Sequence, residues 1–143
     1  MTTSANANYR PAGIHVLADL HGIDAARLTC AATIDALLRA GAEAAGAQVL
    51  HSYFHSFGDG MGVTGIVLLA ESHISIHTWP ETGFAAADIF MCGAAQPDLA
   101  LAVIEQALQP QARQVRSIER GRFGAANLGA ASPEALPRSL SAA

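Results

Sequence analysis

The sequence predicts an α+β fold, a two-layer sandwich in which one antiparallel sheet carries helices on one face. The predicted elements follow the order β-α-β-β-β-β-α-β, and the links among the middle strands are short. Hydrophobic residues make up 51% of the chain and charged residues only 14%, so the second face of the sheet is expected to be apolar. We therefore expect two such sheets to pack together in a homodimer, with helices outside and sheets inside (αββα).

Six strands and two helices are predicted in chain order. The first strand covers 13–20, where apolar and mixed residues alternate. Asp24 is expected to cap a helix that extends to about Ala45, with Cys30 among its core residues. Residues 63–70 are apolar on both faces, which indicates a strand in the interior of the sheet. The other predicted strands cover 48–57, 74–78, 84–91 and 114–119, the second helix covers 98–108, and residues 58–62 form a glycine-rich turn.

The 143 residues fit a single domain. Residues 1–10 are predicted to be a loose arm, and the stretch 125–143, rich in alanine, serine and proline, a mobile tail. The N-terminus is polar, with no basic segment and no long apolar run, so we expect no signal peptide, no membrane association and a cytoplasmic protein. In that compartment Cys30 and Cys92 should be free thiols.

The charge balance restricts the partners. The formal net charge is −4 and the few arginines are scattered, which argues against nucleic acid and is compatible with a cationic small-molecule substrate. The chain contains no lysine, so it cannot hold pyridoxal phosphate through a lysine Schiff base. If the reaction needs a carbonyl group to accept electrons, that group must come from something other than lysine-bound pyridoxal phosphate.

The most informative segment is 71–81, Glu-Ser-His-Ile-Ser-Ile-His-Thr-Trp-Pro-Glu. In a strand, its odd-numbered residues His73, Ser75, His77 and Trp79 project to one face and Ile74, Ile76 and Thr78 to the other. A half-buried strand with hydrogen-bonded histidines would show the same pattern. Metal binding is a poor explanation, because His73 and His77 would be roughly 13 Å apart at about 3.3 Å per residue. No metal is predicted.

This segment resembles the self-processing site of the prokaryotic S-adenosylmethionine decarboxylase family. The resemblance extends over about 13–121 and is densest over 55–93. It implies that the chain cuts itself between Glu71 and Ser72 into fragments 1–71 (beta chain) and 72–143 (alpha chain). Ser72 would become a pyruvoyl group, the cofactor, which forms a Schiff base with the substrate amine and accepts electrons as CO₂ leaves.

The chemistry requires the Ser72 hydroxyl to attack the Glu71 carbonyl and form an ester. A base then removes the Ser72 α-proton, the ester is expelled, and hydrolysis with loss of ammonia leaves the pyruvoyl group. Ester formation from an amide is uphill, so the fold must strain the peptide or stabilise its oxyanion. The Thr64 hydroxyl is the predicted processing support, at a position where the family usually has serine.

The resemblance also implies roles for four other residues. His77 matches the proton acceptor in processing and Cys92 the proton donor in catalysis. Phe57 matches an aromatic residue that stacks on adenine, and Glu81 a carboxylate that holds the ribose hydroxyls. Each residue also has a plain structural alternative: Cys92 and Phe57 could be core, His77 a strand histidine bonded to backbone, and Glu81 a solvated turn residue.

The predicted reaction is the conversion of S-adenosylmethionine to its decarboxylated form for spermidine synthesis. Two alternatives stay open at this point. A pyruvoyl-dependent ornithine or arginine decarboxylase could use the same scaffold, since the turn 58–62 is one residue longer than the family's proline-containing version and lies beside Phe57. A non-catalytic partner subunit would remain uncut. The segment 119–122, Glu-Arg-Gly-Arg, also resembles the family but receives no role.

Overall fold

The computed structural model describes residues 12–122, which form one antiparallel six-stranded sheet with two α-helices on one face. The α+β class and the predicted order of elements are confirmed. The predicted arm and tail lie outside the described residues. The strands are β1 Gly13–His21, β2 Val49–Ser56, β3 Val63–Leu69, β4 Ser72–Trp79, β5 Phe84–Cys92 and β6 Ala112–Arg120, and the helices are α1 Ala31–Ala44 and α2 Pro97–Leu108.

The strand order in the sheet is β2-β3-β4-β5-β1-β6, and every neighbouring pair is antiparallel. Strands β2 to β5 follow one another as a meander, whereas β1 inserts between β5 and β6. Strand β3 lies between two other strands, as its apolar sequence predicts. The motif strand β4 lies next to it, near the middle of the sheet.

The core lies between the sheet and the two helices. Helix α1 packs on β2 and β3, helix α2 packs on β5 and β1, and the helices contact each other. Along β4 the alternation is as predicted: Ile74, Ile76 and Thr78 are buried in this core. The Thr78 hydroxyl is satisfied there, since it accepts from the Val63 amide and donates to the Leu28 carbonyl, both at 2.8 Å. Neither helix is long and apolar enough to span a membrane.

The first helix begins later than predicted. Asp24 caps only a single 3₁₀ turn, Ala25–Arg27, through its bond with the Ala26 amide. The Leu28 side chain then enters the core while its carbonyl binds Thr78, and this contact separates the turn from helix α1, which starts at Ala31. The prediction that Cys30 is a core residue was wrong, because it lies exposed at the N-cap of α1. Both cysteines are free, as expected.

The face of the sheet that no helix covers, here called the open face, is mixed rather than apolar. It exposes Tyr53, Leu68 and Ile118, which are 67%, 44% and 46% accessible, but histidines and charged residues lie between them. The expectation of a uniformly apolar second face was therefore wrong. The reason is that the odd-numbered polar residues of β4 project to this face, as the strand's alternation requires.

Candidate active site at two ends of strand β4

The predicted cleavage position lies in a two-residue turn between β3 and β4. Leu69 pairs with Ser72, so Ala70 and Glu71 form the connection. Glu71 has a φ of +68°, in the left-handed region that glycine or asparagine usually occupies. Such a conformation costs about 1–3 kcal/mol for an ordinary residue and persists only where the surrounding structure enforces it. The strain predicted for the peptide before Ser72 is thus present at its first residue.

The groups next to this turn fit an acyl shift. The Ser72 hydroxyl donates to the Ala70 carbonyl at 3.4 Å, which keeps it against the turn. On the neighbouring strand, the Cys92 thiol donates to the Glu71 carbonyl oxygen at 3.5 Å. That oxygen is the one that becomes negative if Ser72 attacks. The sequence predicted a role for Cys92 only in catalysis and not this contact, although Phe90 pairs with His73, so Cys92 at the end of β5 lies near the turn before Ser72.

The groups around Cys92 shift the pKa of its thiol in opposite directions. Burial raises the pKa of the thiol above its ordinary value, the Glu71 carboxylate raises it further, and the Arg120 guanidinium lowers it. A raised pKa keeps the thiol protonated near neutral pH. The group therefore suits the donation of a hydrogen bond or a proton better than nucleophilic attack.

A second cluster lies at the other end of β4. Thr64 pairs with His77 across strands β3 and β4, and the Thr64 Oγ1 lies 2.9 Å from His77 Nδ1. This bond orients the imidazole and leaves Nε2 as its free nitrogen. Both residues line a cavity of about 290 Å³ that also holds Phe57 and Glu81. Met61 and Trp79 also line this cavity, and neither residue was predicted from the sequence to have a role there.

The structure does not bring the two clusters together within one chain. Ser72 and His77 are five residues apart along β4, which is roughly 16 Å at about 3.3 Å per residue. Ser72, Glu71 and Cys92 meet at one end, while Thr64, His77, Phe57 and Glu81 meet at the other. The side chains of Cys92 and His77 project to the same open face, as the register of β4 and β5 requires.

The sequence matches the family described as S-adenosylmethionine decarboxylase over residues 14–121. The chain belongs to the S-adenosylmethionine decarboxylase family. One relative, named S-adenosylmethionine decarboxylase proenzyme, from Parasynechococcus marenigrum, is 46% identical over 109 residues, which are 76% of this chain and 84% of the relative. Another of the same name, from a Synechococcus species, is 39% identical over 127 residues, 88% of this chain and 98% of the relative.

A solved structure agrees with this family membership. The crystal structure of the adenosylmethionine decarboxylase from Aquifex aeolicus is 36% identical in sequence and superposes with a TM-score of 0.72. The superposition covers 82% of this chain and 97% of the other. The family resemblance inferred from 71–81 is therefore confirmed over nearly the whole described fold.

Proposed function

We propose that this chain is a self-processing decarboxylase that acts on S-adenosylmethionine in the cytoplasm and supplies the aminopropyl donor for spermidine synthesis. The observation that carries the proposal is the Glu71–Ser72 turn. It combines a left-handed Glu71, a serine hydroxyl held against the turn, and a thiol on the carbonyl that the serine would attack. A turn selected for pairing alone would place glycine or asparagine at such a position.

These residues fit the production of a pyruvoyl group from Ser72. Attack of Ser72 Oγ on the Glu71 carbonyl carbon breaks its bond to the Ser72 nitrogen and leaves an ester. The Cys92 thiol donates to the oxyanion that forms on the way. Departure from the left-handed conformation at Glu71 offsets part of the cost of converting an amide into an ester. Removal of the Ser72 α-proton then expels the Glu71 carboxylate and leaves dehydroalanine at residue 72. Addition of water and loss of ammonia convert it to the pyruvoyl group, so fragments 1–71 and 72–143 result.

In the mature protein the pyruvoyl carbonyl supplies an electrophile for the substrate amine and an electron sink for decarboxylation. The Cys92 thiol lies 3.5 Å from the carbonyl oxygen of Glu71, the residue before Ser72, and its raised pKa keeps it protonated. It delivers a proton to the substrate carbon after CO₂ has left. Phe57, 59% exposed, offers a ring for the adenine, and Glu81 a carboxylate for the ribose hydroxyls. No metal or pyridoxal phosphate is required by these assignments.

The separation of the two clusters makes a second subunit part of the proposal. We call the end of β4 with Glu71, Ser72 and Cys92 the cleavage end, and the end with Thr64, His77, Phe57 and Glu81 the cavity end. If the open faces of two copies pack about a two-fold axis through the middle of β4, the cleavage end of each copy lies against the cavity end of the other. The base for Ser72 is then the partner subunit's His77, oriented by the partner subunit's Thr64. The exposed Tyr53, Leu68 and Ile118 supply apolar area for this contact. Each dimer would contain two complete sites.

Mixing of two inactive variants tests this arrangement. Ser72→Ala chains keep His77 but cannot be cut, and His77→Ala chains keep Ser72 but lack the base. After unfolding and refolding of an equal mixture, about half of the dimers should be mixed, so about a quarter of all chains should be cleaved and active. Each variant refolded alone is the control. Cleavage of His77→Ala alone, or none in the mixture although mixed dimers form, would contradict a shared site.

A substrate assay addresses the remaining alternatives. The relatives and the solved structure described above are named for S-adenosylmethionine, and nothing in them favours the ornithine or arginine decarboxylase. Carbon dioxide release should occur with S-adenosylmethionine and not with ornithine or arginine. Turnover of either amino acid without S-adenosylmethionine would reject the substrate while leaving the cleavage mechanism intact. A chain that stays uncut would instead favour the non-catalytic subunit.

A further inference from the structure

The segment 119–122 received no role from its sequence, but Arg120 lies close to the cleavage end. Gly13 on β1 pairs with Arg120 on β6 and with Cys92 on β5, so the three residues form one row across the sheet. Gly13 contributes no side chain to this row. A Cβ at Gly13 would lie 3.0 Å from the Cys92 sulfur and 2.9 Å from the Phe90 ring, so the glycine leaves space that these side chains use.

The Arg120 side chain is directed toward this space by two contacts. Its Cζ lies 5.0 Å from the centroid of the Phe90 ring, within the range of a cation–π interaction. Its Nη1 lies 3.5 Å from His15 Nδ1. His15 Nε2 in turn lies 3.8 Å from the Asp88 carboxylate. The contacts with His15 Nδ1 and the Phe90 ring together hold the guanidinium over the ring.

Aromatic packing extends the same arrangement to the residue after Ser72. The rings of His15, His73 and Phe90 lie 5.5–5.9 Å apart, centroid to centroid. Burial lowers the pKa of His73, and the neighbouring His15 lowers it further, so His73 is neutral near pH 7. The titratable and charged groups around this end of the open face are Glu71, His15, His73, Asp88 and Arg120. Among them, Arg120 supplies the permanent positive charge.

We infer that Arg120 is a positioning residue for Cys92: its guanidinium, spread on Phe90 and bonded to His15, keeps a positive charge beside the thiol and fixes the ring next to it. The inference rests on the proposed role of Cys92 as proton donor. Without the guanidinium, the thiol would face only the Glu71 carboxylate and apolar surroundings, and the ring would lose the contact that fixes it. Proton delivery would then be slower and less accurately placed.

Alkylation of Cys92 in uncut chains tests the charge directly. The background is Ser72→Ala with Cys30→Ser, because the Thr33 hydroxyl lowers the pKa of the exposed Cys30 thiol, which would react as well. Arg120→Met should slow iodoacetamide labelling of Cys92 at pH 8 by about threefold to tenfold, since a nearby positive charge favours the thiolate. Arg120→Lys should recover most of the rate.

Arg116→Met is the matched control. Arg116 lies on the same strand and the same face but pairs with Leu17, four residues further from Cys92. The control should label at the parent rate. Equal labelling of Arg120→Met and the parent, or equal slowing by Arg116→Met, would overturn the inference. Melting temperatures are compared in parallel, and Arg120→Gln replaces the methionine variant if that variant does not fold.

Because the chain has no lysine, misplaced protonation can be measured in self-cleaved chains as the appearance of a free amine. Fragment 72–143 has no free amine while residue 72 is a pyruvoyl group. Protonation of the residue-72 carbon instead of the substrate carbon, followed by hydrolysis, leaves alanine with a free α-amine and releases the substrate as an aldehyde. After equal numbers of turnovers, Arg120→Met should carry several times more amine-reactive dye on fragment 72–143 than the parent. Arg116→Met, which adds no amine, should carry the same amount as the parent. Unchanged labelling of Arg120→Met would overturn the positioning role. The alkylation experiment requires neither self-cleavage nor decarboxylation, so it tests Arg120 even if the proposed function is wrong.

Discussion

The two ends of the open face of strand β4 are built from different kinds of structure. The cleavage end consists mainly of backbone: a two-residue turn with a left-handed Glu71, and a single thiol on its carbonyl. The cavity end consists of side chains, with Thr64 and His77 joined by a hydrogen bond beside Phe57 and Glu81. In the proposed mechanism, one end therefore stores strain in the peptide that is cut, and the other offers a base and a binding surface to the partner subunit.

The largest expected effect is at Ser72. Ser72→Ala should leave a single uncut chain, because no hydroxyl attacks the strained peptide, whereas the parent should give fragments 1–71 and 72–143. Intact mass and a denaturing gel measure this. Ser75→Ala is the control, since Ser75 lies on the same strand and contacts only Asp88 among the bonds described. Efficient cleavage of Ser72→Ala would show that the turn is not the site.

Cys92→Ala should impair both stages at the same end. Loss of the thiol removes a donor to the Glu71 carbonyl and should slow self-cleavage by up to about a hundredfold. The processed fraction should decarboxylate poorly and acquire alanine at residue 72, because protonation is misdirected. Cys92→Ser, which keeps a hydroxyl donor, should cleave faster than Cys92→Ala. Fast cleavage by both variants would confine Cys92 to the later step.

Thr64→Val tests the cavity end with little change in side-chain shape. It removes the hydrogen bond to His77 Nδ1, and self-cleavage should slow by about fivefold to tenfold, as expected for one lost bond of about 1 kcal/mol. Thr64→Ser, the residue usual in the family, should restore the rate. In dimers that pair a Thr64→Val chain with a parent chain, the parent chain should be cut slowly, because its base comes from the variant. The Thr64→Val chain should be cut at the normal rate. A defect that stays within the variant would argue for a site within one chain.

The smallest effects are expected in substrate binding. Phe57→Ala should weaken S-adenosylmethionine binding by about 1–3 kcal/mol, the scale for one base stacked on an aromatic ring. Glu81→Gln should also weaken it, because a charged acceptor becomes neutral. Calorimetry with Ser72→Ala dimers can measure both. Leu99→Ala, exposed on helix α2 away from the open face and absent from the cavity lining, is the control. Loss of self-cleavage in Phe57→Ala would contradict its assignment to binding alone.

Much of the fold follows from local patterns in the sequence. Alternation and helical spacing predict all six strands and both helices, because each element buries one periodic face. The start of α1 could not be predicted in this way. Asp24 has the sequence of a helix cap, but the Leu28 carbonyl is held by Thr78, fifty residues away in the chain. A long-range contact overrides the local propensity there.

The sequence predicts which residue types form the site, and the structure supplies the distances between them. The motif predicts roles for Ser72, His77 and Cys92. The strand spacing that keeps His73 from His77 also keeps Ser72 from His77, a consequence that was not drawn from the sequence. Their separation follows from strand geometry, since five residues of extended chain span far more than a hydrogen bond. The role of Thr64 changes for the same reason: its hydroxyl orients His77 and does not reach the Glu71 carbonyl of its own chain.

The strand order also determines what holds the protein together after a cut. Fragment 1–71 would contribute β1, α1, β2 and β3, and fragment 72–143 would contribute β4, β5, α2 and β6. Strand β1 lies between β5 and β6, and β4 continues the sheet from β3, so the two fragments pair along three strand boundaries: β3 with β4, β5 with β1, and β1 with β6. They can separate only by opening the sheet. Once cut, the molecule must bring two chains together before its sheet can form. Recovery of secondary structure from denaturant should therefore depend on concentration more steeply for the cut protein than for the uncut Ser72→Ala chain, whose sheet forms within one chain.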